Sequence, residues 1–305
     1  MERSHTQDLT SLLASLADEV SRQVFPAGAL YVVATPIGNL ADISVRALKV
    51  LAIVDGVACE DTRNTGQLLS RFGLSCQLFA AHQHNEREAA QKIVQRLQQG
   101  ERIALVSDAG TPAVSDPGAR IVDAVREAGL PVVPVAGASA AIAALSASGL
   151  LPEQFHFVGF LPAKDKQRDG ALAALVSSAA TLVFYEAPHR IVDTVAALLR
   201  AFGQQRRVVI ARELTKLFEQ IHRCPLGDAP AWLAADTNRQ RGEFVLLVEG
   251  APQEADDLDE AKRLLTILLE ACPVSQAAAL AAKITGMKKN ALYTLALQIA
   301  EAAPD

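Results

Sequence analysis

The sequence predicts an α/β protein: a doubly wound, mostly parallel N-terminal sheet, then a second, mixed sheet, then a small helical appendage. Three observations carry this. From Leu30 to Leu150, short apolar strands alternate with helix-period segments. Ile103 to Val106 is a continuous apolar run, as in a strand buried on both faces, and it stops at Ser107-Asp108 in a loop bearing Gly110, Pro112, Pro117 and Gly118. Past residue 260 only helical periodicity remains.

The first 29 residues read as an extension, with Leu9, Leu12, Leu13, Leu16 and Val20 at the spacing of a short amphipathic helix. In the N-terminal domain, 30–150, strands are expected at Leu30–Ala34, Gly56–Glu60, Gln77–Ala80, Ile103–Ser107 and Val132–Val135. Helices fit Ile43–Val54, Thr65–Phe72, Glu86–Gln99, Ala119–Ala128 and Ala138–Ser148, with Asp116 as N-cap and Pro117 as first residue of the fourth. Parallel strands place their following loops on one edge, where open α/β sheets bind ligands. Those loops are Thr35–Asn39, Glu60–Arg63, Ser107–Pro112 and Ala136–Ser139.

The second domain, 151–250, carries strand candidates at Phe155–Phe160, Thr181–Tyr185, Arg207–Ala211, Phe218–His222 and Phe244–Glu249, with helices at Gln167–Ser177, Ile191–Phe202 and Asp228–Ala235. A polar, acidic linker is expected over Gly250–Asp259. The unit at 258–305 holds three helical stripes, and Gly286 is a helix stop between the second and third. That pair resembles a helix-turn-helix, with Lys283, Lys288 and Lys289 at its turn. A packing lid and a nucleic-acid reader fit it equally.

The chain has 305 residues, half of them hydrophobic, enough for two medium domains with cores. No apolar stretch is long enough to span a bilayer, and MERSHTQDLT is not a basic segment followed by an apolar block, so a cytoplasmic protein is expected. Cys59, Cys76, Cys224 and Cys272 are scattered and read as reduced thiols. The net charge of −5 does not suggest a nucleic-acid partner. Between Lys164 and Glu243, however, twelve Lys and Arg face nine Asp and Glu, which permits a local polyanion-binding face.

Several clusters carry chemistry, each with a plainer alternative. TPIGN bears Gly38 but is neither GxGxxG nor a phosphate loop, and a tight turn suffices for it. The backbone of Ser107–Thr111 suits a small polar ligand, with Asp108 accepting from hydroxyls or an amino group, or merely capping the loop. His82 and His84 share a strand face, but no third ligand stands at a recognisable spacing, so no metal is expected. Asn85 is a substrate contact or a helix N-cap. His189 and Arg190, at a helix start, and Arg212 and Lys216, at a strand end, suit phosphates or make surface ion pairs with Glu186 and Glu213.

Taken together, these stretches resemble the small-subunit ribosomal RNA methyltransferase I family, a branch of the tetrapyrrole-methylase-like (class III) S-adenosylmethionine methyltransferases. The matching segments are YVVATPIGNLADISVRAL, ACEDTRNTGQLLSRFG, HQHNE, ALVSDAGTPAVSDPG, SAAIAALSASGL, FVGFLPAK, FYEAPHR, ARELTK and GEFVLLVEG, in that order. The tail PVSQAAALAAKITGMKKNALYTLAL is similar to the family's C-terminal helix-turn-helix. The resemblance implies the tetrapyrrole methylase fold, a homodimer and S-adenosylmethionine bound between domains. It also implies methylation of the ribose 2′-oxygen of a decoding-centre cytidine in 16S rRNA, with an assembled or partly assembled small subunit as substrate.

Carried over by motif, Pro36, Gly38, Ser107, Asp108, Gly110, Thr111, Ser139 and Ala140 would line the cofactor site from the first domain. Leu161, Pro162, Tyr185, Gly242 and Glu243 would close it from the second. Glu60 or Asp61, beside Arg63, would orient or deprotonate the ribose hydroxyl, with His82 and His84 as competitors; Asn85, Glu86, His189, Arg190, Arg212 and Lys216 would face the RNA. Ala136-Gly137-Ala138-Ser139 departs from the family, which usually has prolines near that glycine. Two rival readings stay open: a precorrin-type tetrapyrrole methyltransferase, and a non-catalytic ribosome assembly factor.

Overall fold

The computed structural model describes residues 8–150 and 153–302. The expected boundary between the first two domains falls at 151–152, outside the described residues.

Helix α1 (Leu9–Ser21) forms at the expected place, yet its leucines at 9, 12, 13 and 16 stay exposed and only Val20 is buried. Then follow β1 (Leu30–Val33), α2 (Val45–Ile53), β2 (Gly56–Cys59), α3 (Thr62–Arg71), β3 (Leu78–Ala80), α4 (Glu86–Gln98), β4 (Ile103–Val106), α5 (Ala119–Glu127), β5 (Val132–Val135) and α6 (Ala140–Ala147). The five strands form one parallel sheet in the order β3-β2-β4-β1-β5. Pro134 lies in edge strand β5, where a missing N–H costs no ladder bond. Both faces are covered, which is why β2 and β4 are apolar throughout. Ala47, Val50, Leu51 and Leu69 pack one face, and Ala89, Ile93, Leu97, Ile121 and Val125 the other.

Two helix starts in this domain depart from the expected boundary or cap for local reasons. Helix α3 begins three residues early because Asp61 caps it, accepting from the Arg63 N–H at 2.8 Å. Helix α5 begins at Ala119, where the expected range places it, but after Gly118, so Pro117 is not its first residue. Its free N–H groups at Gly118 and Arg120 are met by the Glu86 carboxylate at 2.9 and 3.1 Å, so Asp116 is not the cap.

The second domain comprises β6 (Phe155–Phe160), α7 (Asp165–Ala173), β7 (Thr181–Glu186), α8 (Ile191–Phe202), β8 (Arg207–Arg212), β9 (Gln220–Pro225), α9 (Ala229–Ala234) and β10 (Phe244–Val248). Its sheet runs β6-β7-β10-β8-β9, with β6 and β7 parallel and the other pairs antiparallel. Strand β9 starts two residues later than expected. The reason is a turn at Thr215–Glu219, closed by the Thr215 N–H on the Glu219 carboxylate at 2.6 Å, which leaves Leu217 and Phe218 exposed. Helix α7 starts two residues early, at Asp165.

Alternation along the central strands sorts two cores. Val208, Ile210, Phe244 and Leu246 pack under α8 and α9, whereas Val209, Ala211, Val245 and Leu247 pack against Ala141 and Ala144 of α6. Helix α6 is therefore a wedge between the two sheets, and Ile37 and Leu214 complete the same cluster beside it.

The expected linker is helical instead. Helix α10 runs Gln253–Leu269. It packs with α11 (Val274–Thr285) and α12 (Lys289–Ala302) around Leu265, Ala277, Ala281, Leu292 and Ala296, and Gly286 caps α11 in the left-handed conformation.

Candidate active site

The carboxyl ends of β1, β4 and β5 face the carboxyl end of β7 and the start of β10 across a cavity of about 380 Å³. Its first-domain wall is pinned by backbone: Thr35 and Gly110 exchange two hydrogen bonds of 2.9 and 3.0 Å. The Thr111 hydroxyl donates to the Ala138 carbonyl at 3.1 Å. Gly110 sits at φ +82°, a conformation that costs glycine little, so the loop can turn under the cavity floor. From the second domain, the Tyr185 hydroxyl accepts from the Ala141 N–H at 3.2 Å, and its ring packs edge-on against Phe157 and Phe160. Burial raises the Tyr185 pKa, so the phenol stays neutral at the cavity wall.

Of the residues expected to hold a cofactor, Gly110, Thr111, Ser139, Ala140, Tyr185 and Glu243 line this cavity. Pro36, Ser107 and Asp108 instead border an adjoining groove of about 270 Å³, whose other wall is Asn64, Gln67 and Arg71 of α3. Leu161 is buried, and the Leu161 and Pro162 carbonyls accept from Arg190. Gly38 and Gly242 lie under side chains: a Cβ on Gly38 would come within 2.4 Å of Lys216 Cγ, and one on Gly242 within 2.5 Å of Glu213. These four support the wall without lining it.

The acids after β2 and β4 differ sharply. Asp61 grips Arg63 with both oxygens, at 3.1 Å from Nε and 2.6 Å from Nη2, which holds its carboxyl well down, at about 2. Asp61 is therefore a fixed anion rather than a base, and it occupies Arg63. Asp108 accepts from the Asp61 N–H (3.3 Å) and from Asn64 (2.7 Å), tying the two loops together. Glu60 is half-buried, and burial first, then the charges of Asp108 and Asp116, push its pKa up. Asp116, read from sequence as a cap, reaches the cavity near Ser107, whose hydroxyl is directed to the Ala109 and Gly110 carbonyls at 3.3 and 3.4 Å. Its loop carries Ala113 and Ser115 at φ +67° and +62°, and Glu213 and Thr215 hold φ +50° and +65° across the cleft. Strained backbone of this kind is typical of functional loops.

His82 and His84 follow β3 in a turn, not on a strand face, with ring centroids 6.0 Å apart. Among the described residues no group of three or more His, Cys, Asp or Glu could hold a metal ion. His82 Nδ1 is buried without a hydrogen-bond partner, while His84 is exposed.

Most residues expected to face RNA are committed elsewhere. Asn85 closes its own turn, accepting from the His82 N–H (2.9 Å) and donating to the Ala80 carbonyl (3.0 Å). Glu86 is buried under α5. Arg190 is mostly buried, donating to the Leu161 carbonyl at 2.7 Å beside fully buried Glu186. Arg212 is buried and reaches the Arg241 carbonyl and Gln220. Lys216 bridges Glu213 (2.9 Å) and Glu243 (2.7 Å); burial alone would lower its pKa, but the two acids outweigh that and raise it. Of this set only His189 projects freely.

Sequence reasoning missed Asp116, Val114, Ser115 and Phe160 as cavity residues, and Asn64, Gln67 and Arg71 in the groove. For Asp116 a signal existed, since SDPG is a recognisable motif, but the cap reading absorbed it.

The paired α/β domains and the cavity between them define a class. A family model for tetrapyrrole (corrin/porphyrin) methylases matches residues 29–230, and one for the RsmI C-terminal HTH domain matches 254–300. The fold is shared with solved structures of uroporphyrin-III-C-methyltransferase from Thermus thermophilus (TM-score 0.53, 21% identity, 73% of this chain and 94% of that one) and a cobalt precorrin-4 methyltransferase (0.54, 19%, 74% and 98%). This is a methyltransferase of the tetrapyrrole methylase class. Within it, the chain is 53% identical over 272 residues to "Ribosomal RNA small subunit methyltransferase I" of Escherichia coli O157:H7 (89% of this chain, 95% of that protein). It is 52% identical over 275 residues to the protein of the same name from Pseudomonas aeruginosa (89% and 98%). The chain belongs to the ribosomal RNA small subunit methyltransferase I family.

Proposed function

We propose that this protein transfers a methyl group from S-adenosylmethionine to the ribose 2′-hydroxyl of a decoding-centre cytidine in 16S rRNA. It does so in the cytoplasm, as a homodimer, on an assembled or partly assembled small subunit. The observation that carries the reading is the identity of about half the residues, across nearly the whole length, to proteins named for small-subunit rRNA methylation.

The cavity fits the cofactor. Its volume falls within the ordinary range for small-molecule sites, and its wall is apolar and backbone-lined with few polar groups. Gly110, Thr111, Ser139, Ala140 and Tyr185 would hold the cofactor, with Glu243 at the rim. When bound, S-adenosylmethionine supplies an electrophilic methyl group.

The protein's task is then to hold the acceptor oxygen in line with that group, and such positioning contributes about 7–11 kcal/mol. Glu60 takes the hydroxyl proton. Burial and nearby acids raise its pKa, which makes it a stronger base than an ordinary carboxylate, and general-base catalysis contributes about two to four orders of magnitude in rate. The groove between α3 and the loop after β1 receives the RNA strand, with Arg71 at its rim.

The test is mass spectrometry of 16S rRNA fragments after incubation of unmethylated small subunits with purified protein and cofactor. A single cytidine gaining about 14 mass units, one CH₂ equivalent, on its ribose is the expected result. Methyl on the base, or on no rRNA residue, overturns the reading.

A further inference from the structure

We propose that Asp116 is the counter-charge for the cationic methionine end of the cofactor. The inference rests on the cofactor assignment above and deepens it. Three carboxylates line the cavity: Asp116, Glu186 and Glu243. Glu186 is fully satisfied, by the Thr194 hydroxyl (2.6 Å), the Ala187 N–H (2.8 Å) and Arg190 (3.3 Å). Glu243 is neutralised by Lys216 at 2.7 Å. Asp116 has, among the described residues, no Lys, Arg or His paired with it, and the nearby Ser107 hydroxyl is directed to the Ala109 and Gly110 carbonyls.

The groups around it disfavour the charge further. Asp108 on the same loop and Glu60 at the end of β2 are acids, and Tyr185 from the second domain is a neutral phenol. Burial raises the Asp116 pKa; the nearby Ser107 hydroxyl opposes this and Asp108 reinforces it. A half-buried carboxylate with acidic neighbours in an apolar cavity lacks only a cation, and a ligand that brings one offsets the desolvation penalty. The backbone fixes Asp116 in that place: positive φ at Ala113 and Ser115 turns the loop inward, and Glu86 anchors Gly118 just behind it.

The cofactor offers two cations of this kind, a sulfonium and an ammonium. A carboxylate beside the sulfonium binds the cofactor better than its neutral-sulfur product, so it favours product exchange more than the chemical step.

Equilibrium binding to wild type and Asp116→Asn separates the cases, using S-adenosylmethionine, S-adenosylhomocysteine (ammonium only) and sinefungin (an amine replacing the sulfonium). We expect Asp116→Asn to weaken S-adenosylmethionine and sinefungin by about tenfold or more, as loss of a close charge pair at intermediate dielectric implies. S-adenosylhomocysteine binding within about twofold of wild type assigns the sulfonium, and equal weakening of all three assigns the ammonium; both support the proposal. The variant should melt no lower than wild type at neutral pH, because it removes an uncompensated charge. Three ligands bound as tightly as by wild type overturn the role of Asp116 alone. Failure of the wild type to bind S-adenosylmethionine overturns the cofactor assignment, and this role with it.

Discussion

Glu60 and Asp61 are neighbours in sequence with opposite electrostatics, because the guanidinium of Arg63 reaches back to the second and leaves the first alone. With its carboxyl held at about 2, Asp61 stays ionised across the neutral range, so it organises the loop but accepts no proton there. Glu60 is the reverse: burial and three nearby acids, Asp108, Asp116 and Asp61, raise its pKa, so it protonates before an ordinary carboxyl as pH falls. The methylation rate is therefore expected to fall as pH drops through that raised value. Glu60→Gln should lose about a hundredfold or more in single-turnover rate and abolish the acid limb, whereas Asp61→Asn keeps the limb. A Glu60→Gln enzyme with wild-type rate and pH profile would remove Glu60 from the chemistry. The sequence makes both acids visible in EDTR, but which carboxylate Arg63 takes is decided by the backbone turn at the start of α3, and no spacing rule reveals it.

The elements themselves are read well from periodicity, since β2, β4, β8 and β10 are buried nearly throughout and edge strand β9 alternates half-buried with exposed positions. What periodicity cannot see is capping by residues distant in sequence. Asp116-Pro117 has the residue types of a helix start, yet α5 is capped by Glu86 from thirty-two positions earlier, which frees Asp116 for the cavity. The segment after Pro252 reads as linker by composition, yet it folds as the start of α10. The buried Glu86 thus couples α4 to the SDPG loop. Glu86→Ala strands the Gly118 and Arg120 N–H groups and should cost about 1–3 kcal/mol in thermal or denaturant unfolding. Glu86→Gln, which keeps one acceptor oxygen, should recover part of that loss. Equal stability of Glu86→Ala and wild type would show that the loop holds its shape without the cap.

For the whole molecule, counting charges along the chain overstates the surface available to RNA. The second domain is net positive in sequence, but Arg190, Arg212 and Lys216 direct their charge to carbonyls and carboxylates inside the fold. Exposed cations without an ion partner among the described residues include Lys164 and Lys166 at the start of α7, Arg71 on the groove, and Lys288 and Lys289 at the turn before α12. A polyanion docking at the groove would meet Arg71. Charge reversal at Lys164 and Lys166 together should weaken small-subunit binding and flatten the salt dependence. The expected change is about 0.7–0.9 in log–log slope for each phosphate no longer neutralised, with cofactor binding unchanged. Reversal at Arg212 belongs to a different category: it places a carboxylate among the Arg241 and Phe218 carbonyls, so the expected loss is of folded protein, seen as a lowered melting temperature. If the Lys164 and Lys166 variant kept the wild-type salt slope while a folded Arg212 variant did not, the RNA path would run through the second domain's interior edge, and the phosphate-binding groups would have to be sought on the β8–β9 side.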